Sequence, residues 1–186
     1  MRLAYFAIAL IWRTAGGRSG SSSMFREGPK MIGLLAVAAT VTSRCPAERA
    51  HYALRGRSEI TAFFRAVESG DDWPSHLALA IHSRQTGQTT WWVPWQGGTD
   101  GQTNIASTTD VMAPDWRPPD PDDGPRPHGD RQFLTTDASY KINEVIPLRG
   151  QDAPAHMLIP DSGGSQDHIF PAKQFFDFVG CTSNGG

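Results

Sequence analysis

What is scarce in this chain narrows its function first. No run reaches the roughly 20 apolar residues that a membrane-crossing helix needs; the two apolar runs, residues 3–12 and 31–41, both stop well short. There is no G-x-x-x-x-G-K-[ST] phosphate loop, no G-x-G-x-x-G dinucleotide fingerprint and no G-x-S-x-G nucleophile elbow, which removes three common routes to nucleotide and hydrolase chemistry. Cysteine occurs only twice, too few for a zinc site built on four thiolates. No period recurs along the chain, so a repeat array is excluded. Basic residues form no cluster. Residues 1–43 hold five of the 17 Lys+Arg and one of the 19 Asp+Glu, which leaves 12 against 18, a net charge of about −6, for the remainder. A domain of that sign is poorly suited to neutralise nucleic-acid phosphates or to adhere to anionic lipid, so no nucleic-acid partner is expected.

The N-terminal region has a composition of its own. Arg26 and Lys30 precede the apolar run "MIGLLAVAATV", and the small residues of "VTS" follow it up to Ser43, which is the order of a signal peptide. Residues 1–43 are therefore expected to be a signal-peptide region with an over-extended N-terminus, Met24 or Met31 being the start. Residues 44–186 are then an exported β domain. In the competing reading the first apolar run is the signal and the second belongs to the mature chain. Both readings export the protein to the periplasm or the exterior, with no stable membrane span after processing. An oxidising compartment would let Cys45 pair with Cys181. Such a bridge closes more than a hundred residues, for up to about 4–5 kcal/mol in a chain-entropy treatment. Arg44, directly before Cys45, argues against lipidation of that cysteine.

Beyond residue 50 the hydrophobic period is mostly two. "HLALAIHSR" alternates Leu77, Leu79 and Ile81 with His76, Ala78, Ala80 and His82, and "TTWWVPW" follows after the turn "QTGQ", a hairpin signature with Gly87 free to take a positive φ. Further strands are expected at residues 60–67, 103–109, 132–136, 142–148, 155–159 and 174–179. With 19 Gly and 14 Pro, this spacing predicts a mainly β, single-domain antiparallel sandwich or barrel. Residues 59–69 fit one short helix as well as a strand, because Ile60, Phe63, Phe64 and Val67 also fall at helical spacing. Residues 113–130, rich in proline and aspartate, cannot enter a sheet interior. They form a surface loop or a wall over the sheet.

Three function classes follow. The first is ligand binding. On a strand Trp91, Val93 and Trp95 share one face and Trp92 takes the other; an exposed indole there would stack on a sugar ring, with Gln102 and Asn104 bonding its hydroxyls. The competing reading buries these rings in the core or under the proline-rich loop. The second class is a small secreted hydrolase, using a carboxylate pair or the set Ser162, His82 and Asp110. "PDSGGS" at residues 160–165 resembles the nucleophile turn G-D-S-G-G of chymotrypsin-like serine proteases over about five residues. That resemblance implies a Ser162 nucleophile with His82 and Asp110 as its partners. Pro160 stands against it, because it occupies a position whose backbone N–H that family uses for its oxyanion hole. The third class is an envelope interaction or inhibitor protein that makes contact through the proline-rich loop.

No metal or other cofactor is expected. His76 and His82 share a face but stand about 20 Å apart on a strand, and His51, His128, His156 and His168 lack ligand spacing. "DPDDG" at residues 120–124 lacks the alternation and the distal glutamate of a calcium loop. Binding is favoured over catalysis, with a carbohydrate or a similar small ligand as the expected partner.

Overall fold

The structure, a computed structural model, describes residues 44–97, 102–160 and 174–182. A 3-10 turn, Ala47–Arg49, leads into nine strands: β1 (Ala50–Leu54), β2 (Arg57–Ala66), β3 (Leu77–Ser83), β4 (Thr89–Gly97), β5 (Gln102–Thr108), β6 (Asp130–Gln132), β7 (Leu134–Thr136), β8 (His156–Leu158) and β9 (Phe175–Cys181). All pairings are antiparallel and make one sheet in the order β6-β5-β4-β3-β2-β1-β9-β8-β7.

The two outermost strands of that order are neighbours in sequence. Phe133 alone separates β6 from β7, so residues 130–136 pair with β5 in their first half and with β8 in their second. At the hand-over Phe133 N–H donates to the Thr103 carbonyl at 3.0 Å, and the Thr103 hydroxyl donates to the Phe133 carbonyl. The sheet thereby curls into a nearly closed barrel, which leaves few strand edges unpaired.

Alternation decides what fills the barrel. Tyr52, Leu54, Ile60, Ala62, Phe64, Leu77, Leu79, Ile81, Trp92, Ile105, Phe133, Met157 and Phe176 point inward and form one apolar cluster. Tyr52 keeps its hydroxyl satisfied on the Pro154 carbonyl at 3.0 Å, and burial pushes its pKa well up.

A second apolar cluster lies on the outer face of β3, β4 and β5, where Trp91 and Val93 pack with Trp73, Val67, Ala78, Ala80 and Ala106. The three alanines leave room on this face for the indoles. The long loop covers this face: Trp73 Nε1 donates to the Pro119 carbonyl at 3.0 Å, and the Arg126 guanidinium stacks 5.4 Å from the Trp73 ring. Arg126 also reaches the carbonyls of Asp120 and Pro121, so the proline-rich segment is a wall whose carbonyls are gathered by one side chain.

The 3-10 turn and residues 142–154 bridge one end of the barrel. This strap bonds in turn to β7 (Asn143 N–H to Thr135 O, 2.9 Å), to the residue after Trp95 on β4 (Gln96 Nε2 to Glu144 O, 3.1 Å), to the entry of β3 (Ser75 Oγ to Pro147 O, 2.7 Å) and to the 3-10 turn (Ala47 N–H to Gln151 O, 2.8 Å). Its Ile146 is buried. Beside it Cys45 and Cys181 are joined in a disulfide that spans 136 residues of sequence.

Two expectations need correction. Residues 59–69 contain no helix. Both sides of β2 are occupied by strands, and Ile60, Ala62 and Phe64 go inward at period two, so ladder partners on both sides outweigh a helical spacing that the same residues satisfy. Residues 142–148 are not a strand either: apart from the single bridge from Ile142 to Thr136, they spend their backbone bonds on the ends of other elements. One strand, β1, was not anticipated, its alanines and histidine diluting the signal. The β3–β4 hairpin is as expected, Gly87 having φ 70°.

Two stability outcomes follow. Phe133→Ala leaves a void at the closure point and is expected to lower unfolding free energy by about 3–5 kcal/mol in chemical denaturation. Replacing both cysteines by serine is expected to remove up to about 5 kcal/mol, read from the same experiment with and without reductant.

Candidate functional site

The tryptophans are largely accounted for by packing. Trp92 is 0% exposed inside the barrel and Trp91 is 7% exposed in the outer cluster, meeting Phe63 edge-on at 6.0 Å. Neither presents an open ring face, which corrects the expectation of a platform at Trp91 or Trp92: the outer face of β4 is roofed by a loop from elsewhere in the chain. Trp95 is half-buried and pairs across the sheet with Asn104. Its indole lies against Gly97, where an added Cβ would come within 2.6 Å of the ring. Among the described residues Trp95 Nε1 is a buried side-chain polar atom with no hydrogen-bond partner.

Just beyond Trp95 the strapped end of the barrel opens into two clefts. The larger, about 760 Å³, is lined by Arg44, Asp137, Lys141, Val145, Ile146 and Asp152 among others. The smaller, about 360 Å³, brings Gln96, Gln102, Gln132 and Asn143 together with Leu134. Ile142, Asn143 and Glu144 line both, so the strap is the partition between them. Ile142 and Val145 are among the most exposed large apolar side chains of the described residues. Of the residues singled out in the sequence, Gln102 is in the smaller cleft, while Asn104 turns its amide to the Gln102 carbonyl at 3.1 Å.

A polar cluster fixes one margin of the larger cleft. Arg55 makes a bidentate contact with Asp177 (2.8 and 2.7 Å) and donates to the Tyr140 hydroxyl at 2.6 Å; His156 Nδ1 lies 2.7 Å from the same carboxylate. Tyr140 stacks on His156 with ring centroids 4.3 Å apart and planes 5° from parallel. Tyr140 holds φ at 64°, a left-handed conformation that a bulky residue adopts only under outside constraint. The stack and the Arg55 bond supply that constraint. They hold the turn from Asp137 to Lys141, where Asp137 Oδ1 accepts the N–H groups of Ser139 and Lys141. The Arg55 guanidinium first, and His156 after it, keep the Asp177 carboxyl below the usual carboxylate range, against partial burial that raises it. No spacing rule points to this cluster, because His156 and Asp177 meet only through the β8–β9 register.

The hydrolase residues are not assembled among the described residues. His82 Nδ1 is 2.9 Å from Thr89 Oγ1, and Asp110 Oδ1 accepts the Met112 N–H at 2.9 Å. Ser162 and His168 lie outside the described residues. Among those residues no group of three or more His, Cys, Asp or Glu side chains could hold a metal ion. No family model matches this chain, nor does any curated protein or solved structure.

The Asp177 cluster yields a pH prediction. A carboxyl with a depressed native pKa stabilises the fold above its unfolded value and loses that contribution as pH falls through the native one. Asp177→Asn is therefore expected to be less stable than wild type at pH 7, with the gap closing as pH is lowered below the ordinary carboxylate range. Thermal melts across pH 2–7 read it.

Proposed function

We propose that this chain is an exported binding protein for a neutral, hydroxyl-rich ligand of the sugar class, held at the strapped end of the barrel. One observation carries the reading: four carboxamides from separate segments, Gln96 on β4, Gln102 on β5, Gln132 on β6 and Asn143 on the strap, converge on one groove. A carboxamide brings two donors and an acceptor with two lone pairs and carries no net charge. A ring of them matches hydroxyl groups, which both donate and accept. Leu134 and Ile142 add the apolar side that the C–H face of a sugar ring requires.

Trp95, at the same end of β4, supports the groove from the outer face. Gln96 and Asn143 are anchored already, on the Glu144 carbonyl and on Thr135 Oγ1 at 3.0 Å. Groups held this way lose little freedom when a ligand arrives. The volumes of both clefts fall in the range of small-molecule sites, roughly 300–1,000 Å³. Export is supported by the Cys45–Cys181 disulfide, a bond that persists in oxidising compartments, and by the basic, apolar and small residues in order through residues 26–43.

The test is a neutral oligosaccharide array followed by calorimetry on the best binder. Gln102→Ala with Asn143→Ala is expected to weaken binding about tenfold or more, two hydrogen bonds being lost; loss of the Asn143 bond to Thr135 lowers the melting temperature, and circular dichroism verifies that the barrel stays folded. An array with no retained neutral glycan, or equal affinity in the double variant, would sink the proposal.

A further inference from the structure

The outer wall of the barrel carries a third cleft, which shares no lining residue with the carboxamide groove and differs from it in chemistry. It encloses about 400 Å³ and is lined by Arg65, Val67, Glu68, Val111, Trp116 and Arg117. We infer that it is a binding site for a six-membered ring bearing a carboxylate, the ring lying against Trp116 and the carboxylate between Arg65 and Arg117.

Each part follows from how the residue is held. Arg65 stands on the outer face of β2, paired across the sheet with Ala78, whose small side chain leaves the guanidinium stem room to lie on the wall. Among the described residues it has no ion-pair or hydrogen-bond partner, although the domain is acidic and supplies carboxylates freely. Glu68, the acidic residue in the lining, faces Arg149 at 3.1 Å instead. Arg117 donates one N–H to the Trp116 carbonyl at 2.8 Å, which ties it to the backbone at the cleft and leaves four of its five donors. The Trp116 indole is set by its Nε1–H donating to Thr108 Oγ1 at 3.1 Å. Its polar edge is thus turned to the sheet. Val67 and Val111 complete the apolar part, both packed on the outer cluster.

Two guanidinium groups beside a fixed indole select for charge and for a flat apolar surface together. A guanidinium fork matches a carboxylate in plane, and an indole offers the largest ring face a side chain has. Simple anions satisfy only the first condition and neutral rings only the second. Two sources present the required chemistry, an aromatic carboxylate and a uronic-acid sugar. The net negative charge of the domain repels anions at long range, so this site works at short range and at moderate salt.

The experiment titrates the disulfide-intact protein carrying Gln102→Ala and Asn143→Ala, so that the carboxamide groove does not contribute, with benzoate and with glucuronate, using benzamide, glucose and acetate as controls. The readouts are tryptophan fluorescence and calorimetry. Expected is binding of benzoate, glucuronate or both at about 1 mM or tighter, with each control at least about tenfold weaker. Arg65→Gln and Arg117→Gln are each expected to lose about tenfold, the loss of one charged hydrogen bond. Both arginines are exposed, and an unchanged melting temperature verifies the fold. Trp116→Phe keeps an aromatic face and is expected to retain part of the affinity, while Trp116→Ala abolishes it. Preference for benzoate identifies the aromatic source, preference for glucuronate the sugar source. Acetate or benzamide binding as well as benzoate, Arg65→Gln binding at wild-type strength, or no binding of either acid overturns the inference. The Gln102→Ala and Asn143→Ala variants leave this site untouched, so its outcome is independent of the carboxamide groove.

Discussion

Closure of the sheet at Phe133 is the constraint from which the rest follows. A strand of seven residues is shared between two partners, and its changeover is held by paired bonds between Phe133 and Thr103, one from each residue. Because β6 and β7 are joined there, the inward face becomes an enclosed core instead of one side of an open sheet, and its apolar residues need no second layer. The strap then has an end to bridge. Without closure, Asn143, which the strap ties to β7, would lie at the opposite edge of the sheet from Gln96, Gln102 and Gln132 on β4, β5 and β6.

The outer cluster shows a second solution to burial. β3 and β4 are hydrophobic on both faces, yet among the described residues no second sheet or helix covers them. Three alanines lower one face enough for Trp91 and Trp73 to lie on it, and the proline-rich loop closes over them with Arg126 gathering its carbonyls. A loop without strand partners would leave its backbone oxygens to water. Here several of them are bonded, which explains how so many prolines sit in an ordered wall. Where that wall meets β2 it leaves a gap, and Arg65, Trp116 and Arg117 line it.

Legibility in the sequence tracked the range of the interactions. The β3–β4 hairpin, the opposite facing of Trp91 and Trp92, and most strand positions depend on alternation and on one turn glycine, all local. The pairing of Cys45 with Cys181 was legible because only two cysteines exist. Residues 59–69 were ambiguous since Ile60, Phe63, Phe64 and Val67 fit two periods, and only neighbours on both sides resolve them. Residues 142–148 have the composition of a strand, but their bonds go to β7, to β4 and to the entry of β3, which no local pattern reveals. The candidate site was less legible than the fold: Gln102 was singled out, whereas Gln96, Gln132, Asn143 and the Arg55–Asp177–His156 cluster come together only through strand register and the bonds of the strap. The burial of Trp91 was one of two readings the sequence allowed, left open because its roof comes from residues some 20 to 30 positions away on either side.

The disulfide has a mechanical consequence distinct from its effect on stability. Cys45 and Cys181 lie at the two ends of the described barrel sequence and meet at one point of the surface. Tension applied to the chain before Cys45 and after Cys181 therefore passes through the sulfur–sulfur bond, and the nine strands lie in a slack loop outside the line of force. A barrel built this way can be tethered, dragged or shaken by its ends while its clefts keep their shape.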